Sequence, residues 1–258
     1  MRQYKFSPSI IKDFVNYINE TGYEKDGENI PFVTEQNLLD RINKVPSPMG
    51  EAAKKGMDFE SVLLGGVSSY GYNFLDKQEL MERMRAYLPK YYYKQVWVEC
   101  KLPELNTVVG GYTDVVGAGT VTDIKTTSNY DFPGYINDAQ LLYLKALENS
   151  GVSEMQYVIT NFSEIFIEKY HLSNLRFDTI YENIERLQLF VDANIYRITN
   201  LAIIGQEEKM PWLTEAKLNM YMSKIGVGDT EYVKNDMIKY RMKTLYRQKL
   251  IDSLFQNN

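Results

Sequence analysis

The reading of the fold turns on GGYTDVVGAGTVTDIKTTSNY, Gly110 to Tyr130. Its β-branched residues on either side of a glycine-bearing turn predict two short strands. Yet Asp114 and Asp123 sit mid-strand and Lys125 ends the second strand, where strands favour apolar or uncharged residues. With an even loop at Gly117-Ala118, Asp114 falls opposite Val121. Side chains alternate along a strand, so Asp123 and Lys125 share the face of Val121. Asp114 and Asp123 then become diagonal neighbours roughly 7–8 Å apart. That gap suits two carboxylates holding a cation between them, while Ile124 turns toward the core. The same residues also fit a polar solvent face with Asp123 and Lys125 as an ion pair, and an odd loop or a bulge would break the parity.

Outward from this hairpin, strand patterns recur at about 95–102 and 107–115, and again in EMQYVIT and EIFIEKYHL around a turn at Asn161–Ser163. Helical spacing marks SPSIIKDFVNYI, with Ser7 or Ser9 as cap and Pro8 at a tolerated early position. TEQNLLDRIN follows with Thr34 as cap, and a third helix runs from about Glu51 to Leu64 before Gly65-Gly66. DKQELMERMRAYL, a segment at about 134–149, and a long amphipathic stretch from Thr179 to Ile204 complete the helices. NETGYEKDGENIP reads as loop by composition. The expectation is one α+β domain over 1–205 and a helical C-terminal extension over 206–258 on the same domain.

The 258 residues, 44% hydrophobic and 24% charged, suffice for a buried core. One cysteine, Cys100, excludes an internal disulfide and a multi-cysteine zinc site, and its VWVEC context predicts a buried strand thiol. His171 is the only histidine, so a metal would be held mainly by oxygen, which favours Mg²⁺ or Mn²⁺. Neither a signal core nor a membrane-spanning run is present, so a cytoplasmic setting is expected. The net charge of −5 does not itself suggest nucleic acid, but phosphates respond to local basic grooves. Two such patches stand out. KYRMKTLYRQK carries Lys239, Arg241, Lys243, Arg247 and Lys249, which suit a DNA backbone or a solvated helix face. In AYLPKYYYK, Tyr91 to Tyr93 suit stacking on single-stranded bases or packing at a sheet edge.

In chain order the motifs are Gly56 to Glu60 on a helix, Gly111 to Asp114, Asp123-Ile124-Lys125, and Gln140 with Tyr143. This series resembles the PD-(D/E)XK nuclease superfamily, in its RecB-like and phage-exonuclease branch. There a helical G-x-x-x-E precedes G-x-x-D, D/E-x-K and a helix bearing glutamine and tyrosine. FSPSIIKDF also resembles the serine-rich helix start of RecB-like nucleases. The resemblance covers about residues 4–172. This chain departs from the pattern in spacing Gln140 and Tyr143 by three positions, in having no histidine near the first helix, and in lacking the four cysteines of the iron–sulfur branch.

The resemblance implies a restriction-endonuclease-like α+β core, a mixed central sheet flanked by helices, with helical N- and C-terminal additions. It implies Mg²⁺ or Mn²⁺, and no iron–sulfur cluster. The ligands would be Glu60, Asp114, Asp123 and the Ile124 carbonyl. Lys125 would orient the attacking water and stabilise charge on phosphorus. Gln140 and Tyr143 are accessory. Glu99 matches a glutamate often seen on the preceding strand, as an accessory ligand or as a surface residue. Thr126 and Thr127 offer hydroxyls to phosphate oxygens. The implied activity is a metal-dependent deoxyribonuclease, an exonuclease of recombination, repair or phage DNA metabolism. Its partners would be DNA and a recombination or replication protein, with oligomers allowed, in the cytoplasm or, if phage-encoded, the host cytoplasm. The alternative is a catalytically inactive nuclease-fold module that binds DNA or a protein.

Overall fold

A computed structural model describes residues 3–25 and 27–204. These residues form two compact units whose segments alternate along the chain. The expected C-terminal extension, 206–258, lies outside the described residues.

The first unit is built from the chain up to Val45, the short piece Pro103–Thr107, and the segment beginning at Glu182. Its first strand, β1 (Tyr4–Phe6), donates Tyr4 N–H to the Asn106 carbonyl at 2.8 Å. Helix α1 (Pro8–Ile18) starts where expected: Ser7 Oγ accepts the Ile10 N–H at 3.3 Å, and Pro8 occupies the first turn, where no N–H is needed. Strands β2 (Gly22–Lys25) and β3 (Glu28–Pro31) pair in register from Lys25↔Glu28 to Gly22↔Pro31. This hairpin corrects the loop expected from composition. Its signal was the Asp26-Gly27 dipeptide, and Gly27 takes the left-handed φ of 82° that the turn demands. Helix α2 (Glu35–Ile42) opens on a reciprocal box between Thr34 and Asn37 and buries Leu38, Leu39 and Ile42.

The second unit holds the rest, Pro46–Leu102 and Val108–Tyr181. Here β5 (Thr107–Gly117) pairs antiparallel with β6 (Thr120–Thr126), β6 runs parallel to β7 (Glu154–Thr160), and β7 pairs antiparallel with β8 (Ile165–His171). Strand β4 (Tyr92–Leu102) lies on the other side of β5. The result is an α+β unit with a mixed sheet flanked by helices. From α3 (Glu51–Leu63), Phe59 and Leu63 join Met81 and Met84 of α4 (Gln78–Arg85) over Val115, Ile124 and Val158. Cys100 is buried on β4, as its neighbours suggest.

Three further sequence expectations change. The β5–β6 turn is Ala118-Gly119, with Gly119 at φ 77°, so the register runs Gly117↔Thr120, Val116↔Val121 and Val115↔Thr122. The loop is even, as assumed, but Asp114 lies two positions from its expected partner Val121, next along the strand to the Val115↔Thr122 pair. The helix expected over 134–149 shrinks to a 3₁₀ turn at Ala139–Leu141 and α5 (Leu142–Leu147). Upstream of it the buried Glu168 carboxylate draws in the N–H groups of Gly134 (2.7 Å) and Tyr135 (3.1 Å) and the hydroxyls of Tyr130 and Tyr170, which holds this stretch as a loop. The long helix from Thr179 is cut at Ala193, where α6 (Asp178–Ala193) ends. Asn43 Oδ1 accepts the N–H groups of Thr199 (2.7 Å) and Asn200 (3.3 Å), which a continuing helix would have used itself.

Glu168 is 1% exposed, so its bonds to the loop are made out of water. Glu168→Gln puts an amide N–H₂ against N–H donors, and is expected to lower stability by roughly 1.5–3 kcal/mol. Chemical denaturation checks this; an unchanged midpoint would mean the loop is held by other contacts.

Candidate active site

The central strand β6 carries a carboxylate into the interior. Asp123 is 2% exposed, between the fully buried Thr122 and Ile124 at 6%. A charge there costs several kcal/mol unless it is compensated, and two side chains compensate it. Gln140 donates its Nε2–H to Asp123 Oδ1. The Lys125 ammonium lies 2.7 Å from Oδ2. The contact is a close ion pair rather than a well-directed hydrogen bond. With side chains 3% and 26% exposed, Asp123 and Lys125 are not the solvent-facing ion pair that the sequence also allowed.

Two further carboxylates reach the same place. Asp114 Oδ2 accepts the backbone N–H of Ile124 at 2.7 Å, so it stands where a ladder carbonyl would otherwise be. Glu60, from α3, accepts from the protonated Asp114 carboxyl and from Gln95 Nε2 at 3.0 Å. Gly56 makes this approach of helix to strand close: a Cβ there would lie 2.5 Å from Thr126 Oγ1. Burial, then the charges of Asp123 and Glu60, push the Asp114 carboxyl up to about 8. Burial and then Asp123 also raise Glu60. Burial disfavours the Lys125 ammonium, but Asp123, Asp138 and Asp114 outweigh it and hold its proton above the usual lysine range.

Three carboxylates against one ammonium leave two uncompensated negative charges when all are ionised. Uncompensated negative charge and carboxylates that take up protons fit a hard divalent cation with oxygen ligands. Glu60, Asp114 and Asp123 are the residues that would hold it. Among the described residues, however, no group of three acidic, histidine or cysteine side chains is already disposed as a metal cage.

The remaining expectations divide. Gln140 joins the site from the 3₁₀ turn, where Asp138 Oδ1 accepts its N–H at 2.8 Å. Tyr143 is buried at 2%; burial, then the charges of Asp123 and Asp138, raise its phenol above the usual range. Ile124 is tied to Asp114 through its N–H. Thr126 faces Gly56, and the Thr127 hydroxyl is engaged in a local turn, donating to the Asn129 carbonyl and accepting the Asn129 N–H. Glu99 is exposed and accepts the Trp97 Nε1–H at 3.2 Å rather than bonding to the cluster. Lys239, Arg241, Lys243, Arg247 and Lys249 lie outside the described residues. The sequence reading missed Gln95, which sits inside β4 at φ 49°. A left-handed non-glycine in a strand is strained, and here it coincides with a bond to Glu60. No local pattern announces it. Asp138, whose charge acts on Lys125, was also missed; its place before a helical run is an N-cap signal.

No helix among the described residues is long and apolar enough to cross a membrane. No family model and no curated protein matches the chain. A solved protein, SSO0001, aligns over 83% of this chain and 89% of its own at 15% identity, with a TM-score of 0.38. A likeness that low establishes neither a shared fold nor a shared activity.

The raised carboxyls fix the pH dependence of the metal-free protein. Asp114 holds its proton more tightly folded than unfolded, so its contribution is complete below the ordinary value of 3.8 and is lost as pH rises to about 8. Stability is therefore expected to fall across that window, by at most about 1.4 kcal/mol per pH unit for each proton involved. Asp114→Asn, which mimics the protonated form, flattens the slope. Melting curves in chelator from acid to mildly alkaline pH check this, and a wild-type slope of the opposite sign would contradict it.

Proposed function

We propose that this chain is a metal-dependent deoxyribonuclease with a restriction-endonuclease-like core, hydrolysing DNA phosphodiester bonds. The observation that carries the reading is Lys125 held, largely buried, against Asp123 while Asp114 and Glu60 crowd the same carboxylate. The chain order of helix glutamate, strand aspartate and D-x-K also supports it, since this is the order that the resemblance implies.

A divalent ion, when bound, supplies Lewis-acid polarisation of the phosphodiester and a more acidic water. The chain's own residues do the rest. Asp114, Asp123 and Glu60 offer hard oxygen donors. Gln140 fixes the rotamer of Asp123, and Gln95 fixes that of Glu60. Lys125 keeps its proton at any working pH and is partly open to solvent. It can therefore donate to a phosphate oxygen as negative charge builds there, where a donor fixed in advance acts most strongly.

A second reading is a DNA-binding module that does not cut. Single-turnover cleavage separates the two. Under saturating Mg²⁺, Lys125→Met is expected to lower the cleavage rate by about a hundredfold or more while changing DNA affinity little, the pattern of an interaction made mainly in the transition state. Near-wild-type cleavage by the folded variant would remove Lys125 from the chemistry. A wild-type protein that binds DNA without cutting would favour the module.

A further inference from the structure

Beside the acidic cluster lies an aromatic pair that the proposed reaction does not use. Trp97 of β4 and Tyr112 of β5 meet edge to face, 5.0 Å apart at 68°, yet they are 52% and 59% exposed. The indole is held on three sides. Its Nε1–H donates to Glu99 at 3.2 Å, Tyr112 closes one edge, and Gly110 lies beneath. A Cβ at Gly110 would be 3.1 Å from the Trp97 ring, so the ring rests on bare backbone. A large apolar surface fixed in orientation and left open to water has no packing explanation.

Its position points to the site by two routes. Tyr112 is two residues before Asp114 and on the same face of β5. Trp97 is two residues after Gln95, which bonds to Glu60. Along β4 in the other direction, Tyr91 and Tyr93 are each 78% exposed. There Lys90, Lys94 and Val116 help to line an open groove of about 710 Å³. Lys90 lies 5.4 Å from the centre of the Tyr91 ring, while the Lys94 ammonium donates to the Leu64 carbonyl; a lysine beside an aromatic ring suits a chain of phosphates carrying unpaired bases. A duplex hides the flat faces of its bases, whereas an unpaired base can lie on an indole whatever its identity.

Building on the deoxyribonuclease reading, we infer that Trp97 and Tyr112 form a stacking platform for an unpaired base, so that the DNA enters this site as a single strand. The groove at Lys90 to Lys94 takes the backbone on one side of that base.

The test uses the full chain carrying Trp212→Phe, which leaves Trp97 as the only indole. A phosphorothioate oligothymidylate, which resists cleavage, is titrated in with Mg²⁺ present, beside a duplex of equal length. The expected result is saturable quenching of Trp97 by the single strand. Trp97→Ala should weaken single-strand binding by about ten- to a hundredfold, more than it weakens duplex binding, and Trp97→Phe should recover most of the loss. Cleavage of unmodified DNA is scored separately. Bound oligonucleotide without quenching, or equal losses on single strand and duplex, would overturn the platform and leave the nuclease reading standing. Quenching without cleavage would keep the platform and sink the nuclease. Absence of any DNA binding would overturn both. Quenching is read on the unaltered platform, so the outcome does not depend on the alanine variant folding.

Discussion

A carboxylate buried in the middle of the central strand is the constraint on which this site depends. Asp123 sits where β6 is covered on both faces, and a buried charge survives only when its surroundings answer it. Lys125 answers with charge and Gln140 with a hydrogen bond. Asp114 and Glu60 work against it, and their own carboxyls respond by holding protons. A cluster arranged for stability alone would gain nothing from crowding three acids around one lysine. On the proposed reading, a divalent ion or a transferring phosphate restores the balance.

Delivering those groups takes two structural devices remote from the charge. One is Gly56, whose missing side chain lets α3 approach Thr126 of β6 and carry Glu60 inward. The other is Glu168 on β8, which gathers the 130–135 loop. That loop leads to Asp138 and Gln140, which then face Lys125 and Asp123. Tyr135, stacked 4.4 Å from Tyr157, belongs to the same wall, and burial first, with Lys125 opposing and Asp123, Asp138 and Glu168 adding to it, pushes its phenol up to about 12. Each device uses sheet or loop geometry to place polar groups that would not find one another by local preference.

How much of this the sequence disclosed follows from the range of the forces involved. The strands of the hairpin, the caps at Ser7 and Thr34 and the even loop were legible because they are set by residues within a few positions of one another. The register was misplaced by two because two glycines flank Ala118, and Gly119 rather than Gly117 takes the left-handed turn position. The loop at 134–138 was mistaken for helix because its acceptor, Glu168, lies more than thirty residues away. The break after Ala193 escaped for the same reason, with Asn43 as the distant acceptor. In the site, Asp114, Asp123 and Lys125 stood out from the hairpin, Glu60 and Gln140 came with the family resemblance, and the structure brings all five together. Gln95 was not named, because its role rests on a backbone angle that no residue type announces, and of the two places open to Glu99, accessory ligand or surface, the structure takes the surface beside Trp97.

The central claim is that the cluster around Asp123 lacks positive charge that a divalent cation supplies. Calorimetric titration of Mn²⁺ into metal-free protein at neutral pH, in two buffers of different protonation enthalpy, tests it directly. The account predicts saturable binding accompanied by proton release, because Asp114 is pushed up to about 8 and must give up its proton as the ion binds. It also predicts that Asp123→Asn loses both signals while remaining folded. Absence of Mn²⁺ binding in the wild-type protein, or binding that Asp123→Asn leaves intact, would contradict it.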